Sequence, residues 1–127
     1  MEAPSGLKKL SISYRGLVMN ITFNIYYRSE NGNAKKFAEE MIKSGIVDEI
    51  KSKKGNLRYE YFIPLDDDTT ILLIDSWENQ EALDEHHNSE TMKKIAKLRD
   101  KYDLHMEVEK YIKDDTNMGS NDKFIRK

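Results

Sequence analysis

The residues that could do acid–base chemistry or hold a planar ligand are few in this chain of 127 residues. His86 is the best acid–base candidate because the ordinary pKa of histidine lies near neutrality. Trp77, the only tryptophan, ends a run that is typical of a strand, where its ring could form the wall of a pocket. Both residues also have a structural interpretation. His86 could hydrogen-bond to a backbone carbonyl or to a neighbouring subunit, and Trp77 could anchor the core.

Three further candidates lie on other predicted strands. Asparagine is a poor strand former, so Asn24 in mid-strand indicates either a hydrogen bond to a substrate oxygen or a hydrogen bond within the sheet. Tyr59 and Tyr61 are two residues apart and therefore project from one face of a second strand. They could offer hydroxyl groups to a ligand, or they could be core or interface residues.

Composition excludes several kinds of site. The chain has no cysteine, which rules out disulfides, thiol nucleophiles and thiolate metal sites. Its net charge of −2, from 21 Lys and Arg against 23 Asp and Glu, offers no electrostatic footprint for nucleic acid. The three consecutive aspartates at 66–68 lack further ligands at suitable spacing, so they predict a solvated turn and no metal site.

No membrane segment is expected from the sequence. No apolar run approaches the roughly 20 residues that a spanning helix needs. The polar interruptions in residues 10–18 also exclude the apolar core of a signal peptide. We therefore expect a cytoplasmic protein.

Hydrophobic periodicity predicts four strands and two helices. Alternation with a period of two marks strands near residues 20–28, 56–64, 69–77 and 103–112. Helical spacing predicts one helix over about 34–53, capped by Asn33, with a kink or an early end at Gly45. A second helix begins at Glu78 or Asn79 and is interrupted at residues 88–89, which compete for backbone hydrogen bonds.

The element order indicates an α+β fold of the ferredoxin-like βαββαβ type. We divide the chain into an N-terminal extension (1–18), one domain (19–112) and a polar C-terminal tail (113–127). Two helices cover only one face of a four-stranded sheet, and the third strand is apolar on both faces. The second face therefore predicts a homodimer in which two sheets pack face to face.

Two segments carry a family resemblance. Gly55-Asn56-Leu57-Arg58-Tyr59-Glu60 is followed, after a hairpin, by Trp77-Glu78-Asn79-Gln80-Glu81-Ala82-Leu83-Asp84-Glu85-His86. These runs resemble the "G-x-L-R-Y-E" and "W-x-x-x-x-A-L-x-x-H" motifs of the antibiotic biosynthesis monooxygenase family, which includes quinol monooxygenases. The resemblance covers about residues 19–112.

The resemblance implies a dimeric α/β barrel with a pocket between the sheet and the helices of each subunit. Family members oxygenate electron-rich phenols or quinols with dioxygen and without metal, flavin or haem. Asn24, Trp77 and His86 would then line the pocket, with His86 as proton acceptor or orienter, and Tyr59 and Tyr61 would bind substrate. Relatives that degrade haem need a histidine beyond the position of His86, and residues 92–99 contain none, so we expect no cofactor.

Two other functions remain open at this level. The same scaffold could carry an isomerase of a small oxygenated metabolite. It could also serve as a ligand-binding module without catalysis, since one fold hosts many functions.

Overall fold

Four antiparallel strands form one sheet in the computed structural model, which describes residues 19–114, 116 and 118–127. The strands are β1 (Ile21–Arg28), β2 (Asn56–Phe62), β3 (Thr70–Trp77) and β4 (His105–Ile112), in the spatial order β2-β3-β1-β4. This order confirms the ferredoxin-like α+β fold. The predicted N-terminal extension, residues 1–18, lies outside the described residues.

The two predicted helices are each divided in two. The first becomes α1 (Asn33–Lys43) and α2 (Ile46–Lys51), and the second becomes α3 (Gln80–His87) and α4 (Glu90–Lys101). Gly45 causes the first break because its φ of +86° is a left-handed conformation that ends α1. Ser89 causes the second by capping α4, and Asn79, one of the two residues predicted to begin the second helix, caps α3.

The cap predicted for the first helix is wrong. Gly32 occupies the cap position, and the nearby Ser29 Oγ accepts a hydrogen bond from the backbone N–H of Ala34 at 2.8 Å. Asn33 is instead the first helical residue, and its side-chain amide donates to the backbone oxygen of Tyr102 at 3.1 Å. Asn33 therefore ties α1 to the end of α4.

The sheet has an inner face, which packs against the helices, and an outer face. Alternation puts Phe23 and Ile25 of β1 on the inner face, opposite Asp75 and Leu73 of β3. The buried core continues from this face into α1 and α2 through Phe37, Met41 and Ile50. The inner face and the helices thus enclose the space in which a site could form.

The outer face carries half-buried apolar side chains in its middle. Leu72 and Ile74 of β3 lie there, with Phe62 of β2 opposite Leu72. Arg58 and Glu60 form an ion pair on the same face, with 2.6 Å between Nε and Oε1. The prediction that β3 carries apolar residues on both of its faces is confirmed.

The remaining described segments are peripheral. Residues Gly119–Phe124 of the predicted tail form a 3₁₀ helix, and the described residues of 113–127 are exposed. Within the described part of the chain, no helix has the length and apolar character needed to cross a membrane.

Gly55 provides a test of the close approach between β2 and α3. Its φ is +88°, and a Cβ atom there would lie 2.5 Å from Cβ of Ala82. We expect Gly55→Ala to lower the free energy of unfolding by at least about 2 kcal/mol, because a left-handed alanine is strained and the clash forces β2 away from α3. Chemical denaturation measures this change.

Gly32→Ala is the matched control for Gly55→Ala. Gly32 has a φ of +78°, but a Cβ atom there meets nothing within 4 Å. It should cost only the conformational penalty of about 1 kcal/mol. An equal loss of unfolding free energy in the two variants would show that the close approach of β2 to α3 contributes nothing to the effect of Gly55→Ala.

Candidate active site

A cavity of about 200 Å³ lies between the inner face of the sheet and the helices α3 and α4. Phe23, Leu73 and Ile95 contribute apolar walls, and Tyr59 adds an aromatic one. The charged or titratable groups on its lining include Asp75, His86 and Arg99. Such a mixture of apolar walls and a few convergent polar groups is typical of a small-molecule site.

A larger open groove of about 900 Å³ runs beside α3, but it is a weaker candidate. Its polar lining consists mainly of exposed side chains such as Glu81, Asp84 and Glu85. None of these carboxyl groups is buried, so the groove cannot exclude water from a reaction. We therefore place the candidate site in the smaller cavity.

Asp75 is the buried acid of this cavity. It lies on the inner face of β3, only 6% exposed, two residues before Trp77. Nε1 of Trp77 donates a hydrogen bond to Oδ1 of Asp75 at 2.8 Å. Burial raises the pKa of Asp75 to about 7, although the Trp77 hydrogen bond and the charge of Arg99 oppose the rise. Asp75 can therefore take up and release a proton near neutral pH.

His86 is held by contacts on two sides. Its ring stacks on Trp77 with centroids 4.8 Å apart and planes 23° apart. Lys53 Nζ lies 3.0 Å from Nδ1 of His86 and donates to Ser89 Oγ at 2.7 Å. An ammonium group can only donate, so Nδ1 accepts and the ring proton of neutral His86 resides on Nε2. His86 thus offers an Nε2–H donor.

The surroundings of His86 disfavour its predicted role as proton acceptor. The residue is 3% exposed, and burial, followed by the charges of Lys53, His87 and Arg99, lowers its pKa to about 4. His86 is therefore neutral at pH 7 and a weak base. The geometry favours the other role that the sequence suggested, which is to orient a ligand through a hydrogen bond.

Arg99 projects from α4 into the same region. Its Nη2 donates to the hydroxyl of Tyr27 at 2.9 Å, and its Cζ lies 5.7 Å from the centre of that ring. Tyr59 and Tyr61 pack edge to face nearby, with centroids 5.8 Å apart. Burial raises the pKa of both tyrosines, so their hydroxyl groups remain protonated.

Of the five predicted site residues, two line the cavity, Trp77 and Tyr61 lie next to those two but outside the lining, and Asn24 lies elsewhere. His86 and Tyr59 line the cavity, Trp77 is fully buried behind His86, and Tyr61 packs beside Tyr59. Asn24 lies on the outer face, paired with Ile74 of β3 and Glu109 of β4. The expectation that Asn24 shares a pocket with Trp77 and His86 is wrong, because its neighbours Phe23 and Ile25 take the inner positions.

Sequence reasoning missed Asp75 and Arg99. A signal for Asp75 was present, since it is an acid at the end of the apolar run 71–74 on a strand predicted to be central. Arg99 follows Met92 and Ile95 at helical spacing, so a charge occupies the apolar stripe of α4. Both are polar residues at positions where burial was expected, and such positions need a partner or a function.

No group of three or more metal-ligating side chains occurs among residues 19–114, 116 and 118–127. Asp67 accepts hydrogen bonds from the hydroxyl groups of Thr69 and Thr70 at 2.6 and 2.7 Å. Its carboxylate therefore stabilises the turn between β2 and β3.

The fold and the cavity define a small α+β protein in which a buried carboxyl group, a neutral histidine and an arginine line one partly open cavity. The sequence profile of the antibiotic biosynthesis monooxygenases matches residues 20–98. The match spans most of the chain, and the chain belongs to this family. No curated protein matches the sequence.

Solved structures share the fold at low sequence identity. A conserved protein of Bacteroides thetaiotaomicron, described as a possible oxidoreductase, superposes with a TM-score of 0.66 at 18% identity, over 76% of this chain and 99% of that one. A conserved protein of Methanosarcina mazei gives 0.65 at 20% identity, over 76% and 95%. SnoaB of Streptomyces nogalater, a cofactor-independent oxygenase, gives 0.63 at 12% identity, over 80% and 98%.

The ionisation of Asp75 predicts a pH-dependent stability. Its pKa is about 7 in the folded chain and ordinarily 3.8, so the unfolded state ionises first and folding weakens as pH rises from about 4 to 7. Asp75→Asn keeps an acceptor for Trp77 but cannot ionise. We expect the unfolding free energy of the variant, relative to the native protein, to increase by up to about 4 kcal/mol from pH 4 to pH 8.

Denaturant titrations across this pH range measure the difference, and His86 contributes equally to both proteins. The control is Asp84→Asn, which removes an exposed carboxyl group outside the cavity and should not reproduce the effect of Asp75→Asn. A pH-independent difference for Asp75→Asn would mean that Asp75 ionises normally in the folded protein.

Proposed function

We propose that this protein is an oxygenase that uses dioxygen to oxidise a small electron-rich aromatic compound, a phenol or quinol, without a cofactor. One observation carries the proposal: a carboxyl group with a pKa near 7 lines an apolar cavity beside a hydrogen-bond donor. Membership in the family and the similarity of the fold to that of a cofactor-independent oxygenase support it. The expected cytoplasmic location remains a prediction.

Asp75 is the proton acceptor in this proposal. Its carboxylate removes the proton of the substrate hydroxyl, and His86 Nε2–H donates a hydrogen bond to the resulting oxyanion. The electron-rich anion then transfers an electron to dioxygen, and recombination forms a carbon–oxygen bond. One oxygen atom enters the ring and the other leaves as water, so a hydroquinone and dioxygen give a hydroxyquinone and water.

The aromatic residues position the reacting groups. Trp77 holds Oδ1 of Asp75 and supports the His86 ring, so it orients both without reaching the cavity itself. Tyr59 supplies a flat wall against which a ring can pack. A bound ring that fills the apolar part of the cavity would displace water there and strengthen the hydrogen bond to the anion. Asn24 has no part in this chemistry.

Oxygen uptake with a panel of hydroquinones tests the proposal. We expect the rate to rise with pH up to about 7, as Asp75 ionises, and then to level off. Asp75→Asn should lower kcat by about 10²- to 10⁴-fold, the usual contribution of a general base. His105→Gln, a change at an exposed histidine at the start of β4, should leave the rate unchanged.

Three outcomes would contradict the oxygenase proposal. Absence of oxygen uptake with every quinol is the first, and full activity of Asp75→Asn is the second. Product formed under strict anaerobiosis is the third, and it would favour the isomerase, which could use the same acid–base pair. Ligand binding without turnover would indicate a binding module.

We also propose that the outer face of the sheet pairs with a second copy of this chain. Leu72 and Ile74 are the half-buried apolar centre of that face, and family resemblance implies a dimeric barrel. Light scattering at micromolar concentration should give twice the chain mass of 14.9 kDa. Leu72→Lys should shift the mass toward the monomer because it buries a charge at the centre of the interface.

The exposed Leu65→Lys is the control for the dimer, because Leu65 lies in the turn between β2 and β3 and away from that face. It should leave the mass unchanged. A monomeric native protein would overturn the proposed interface.

A further inference from the structure

Arg99 forms no ion pair inside the described structure, although its charge acts on the nearby Asp75. Its Nη2 donates to the hydroxyl of Tyr27, but its Nε is buried with no hydrogen-bond partner. No ion pair joins Arg99 to any carboxylate of residues 19–114, 116 and 118–127. A buried donor without a partner weakens the folded state, and such groups in native proteins require an explanation.

Tyr61 packs against Tyr59 in the same region but does not line the cavity. Its hydroxyl is buried without a hydrogen-bond partner. The charge of Arg99 acts on the ionisation of Tyr61, so the two groups lie within electrostatic reach of each other. A ligand in the cavity therefore meets the guanidinium group of Arg99, which lines it, and not the hydroxyl of Tyr61.

The charges around the cavity favour an anion. Arg99 lines the cavity, Lys53 lies behind His86, and both act on His86 as positive charges. His86 itself is neutral, and Asp75 is the buried carboxyl group that faces them. Glu49 partly offsets the charge of Lys53, so when Asp75 holds its proton Arg99 is the charge in the cavity that lacks an opposite one, which favours an incoming anion.

The cavity has room for about one ring. A cavity of about 150 Å³ lined by apolar side chains accommodates benzene. The volume of about 200 Å³ found here leaves room for a benzene ring and one small substituent. Guanidinium groups bind carboxylates particularly well because their N–H groups match the two carboxylate oxygens.

We propose that Arg99 is an anion-binding residue of this cavity and that its ligand is a single-ring aromatic carboxylate. The ring packs against Tyr59 and Phe23, and the carboxylate pairs with the guanidinium group of Arg99. This inference names the substrate class of the proposed oxygenase. It rests on the proposed function only in calling the ligand a substrate. Binding can be tested without turnover.

Isothermal titration calorimetry under nitrogen compares benzoate with benzamide, which has the same shape and no charge. We expect benzoate to bind the native protein at least about tenfold more tightly, as a charge-assisted pair would require. Arg99→Gln should remove this preference, and Arg99→Lys should retain part of it. Arg58→Gln, which changes an arginine on the outer face of β2, should bind benzoate like the native protein.

The position of the bound ligand provides a second measurement. Binding of benzoate should shift the side-chain NMR signals of His86 in the native protein and leave them unchanged in Arg99→Gln. Circular dichroism shows whether each variant is folded, and Arg99→Lys preserves the test if Arg99→Gln does not fold.

Equal affinities for benzoate and benzamide would overturn the inference. It would also fail if benzoate did not bind at millimolar concentration or if Arg58→Gln lost binding as fully as Arg99→Gln. Because no oxygen is present, these outcomes are independent of the oxygenase proposal. A protein that binds benzoate through Arg99 but consumes no oxygen would refute only the oxygenase.

Discussion

The burial of the Asp75 carboxyl group on the central strand β3 is the constraint on which the site depends. A carboxyl group in this position tends to hold its proton because the charged form loses its hydration. The Trp77 indole donates to one of its oxygens, and Arg99 lies within electrostatic range, so the charged form remains accessible near neutral pH. Stronger interactions with these two groups would keep Asp75 ionised at neutral pH, and without them Asp75 would stay protonated.

The rest of the site is arranged around this carboxyl group by the junction of α3 and α4. Asn88 ends α3 and Ser89 caps α4, and the hydroxyl of Ser89 also accepts from Lys53. Lys53 in turn fixes the proton of His86 on Nε2, while Trp77 supports the ring from below. Trp77 therefore holds both Asp75 and His86. This explains why a residue outside the cavity lining matters to the chemistry of the cavity.

The two faces of the sheet separate two functions. The inner face carries the buried polar groups that can handle a proton, and the outer face carries Leu72 and Ile74, which suit association. A strand assigns neighbouring residues to opposite faces, so these functions do not interfere along β3. The position of Asn24 follows from the same alternation: Phe23 and Ile25 occupy the inner positions on β1, and Asn24 must face outward.

The sequence by itself determined the local features of this protein. Alternation located the strands, helical spacing located the helices, and Gly45 and Ser89 marked where each predicted helix divides, because these patterns depend on neighbouring residues only. Alternation along the first strand also puts Asn24 on the other face of the sheet from Phe23 and Ile25, although the family resemblance suggested that Asn24 lies in the pocket. The tertiary structure alone decided which side chains meet. Burial and charges brought near by long-range packing raise the pKa of Asp75 and make His86 a weak base, and the same packing puts Arg99 at the cavity without an ion-pair partner. No local sequence pattern measures burial or long-range charge.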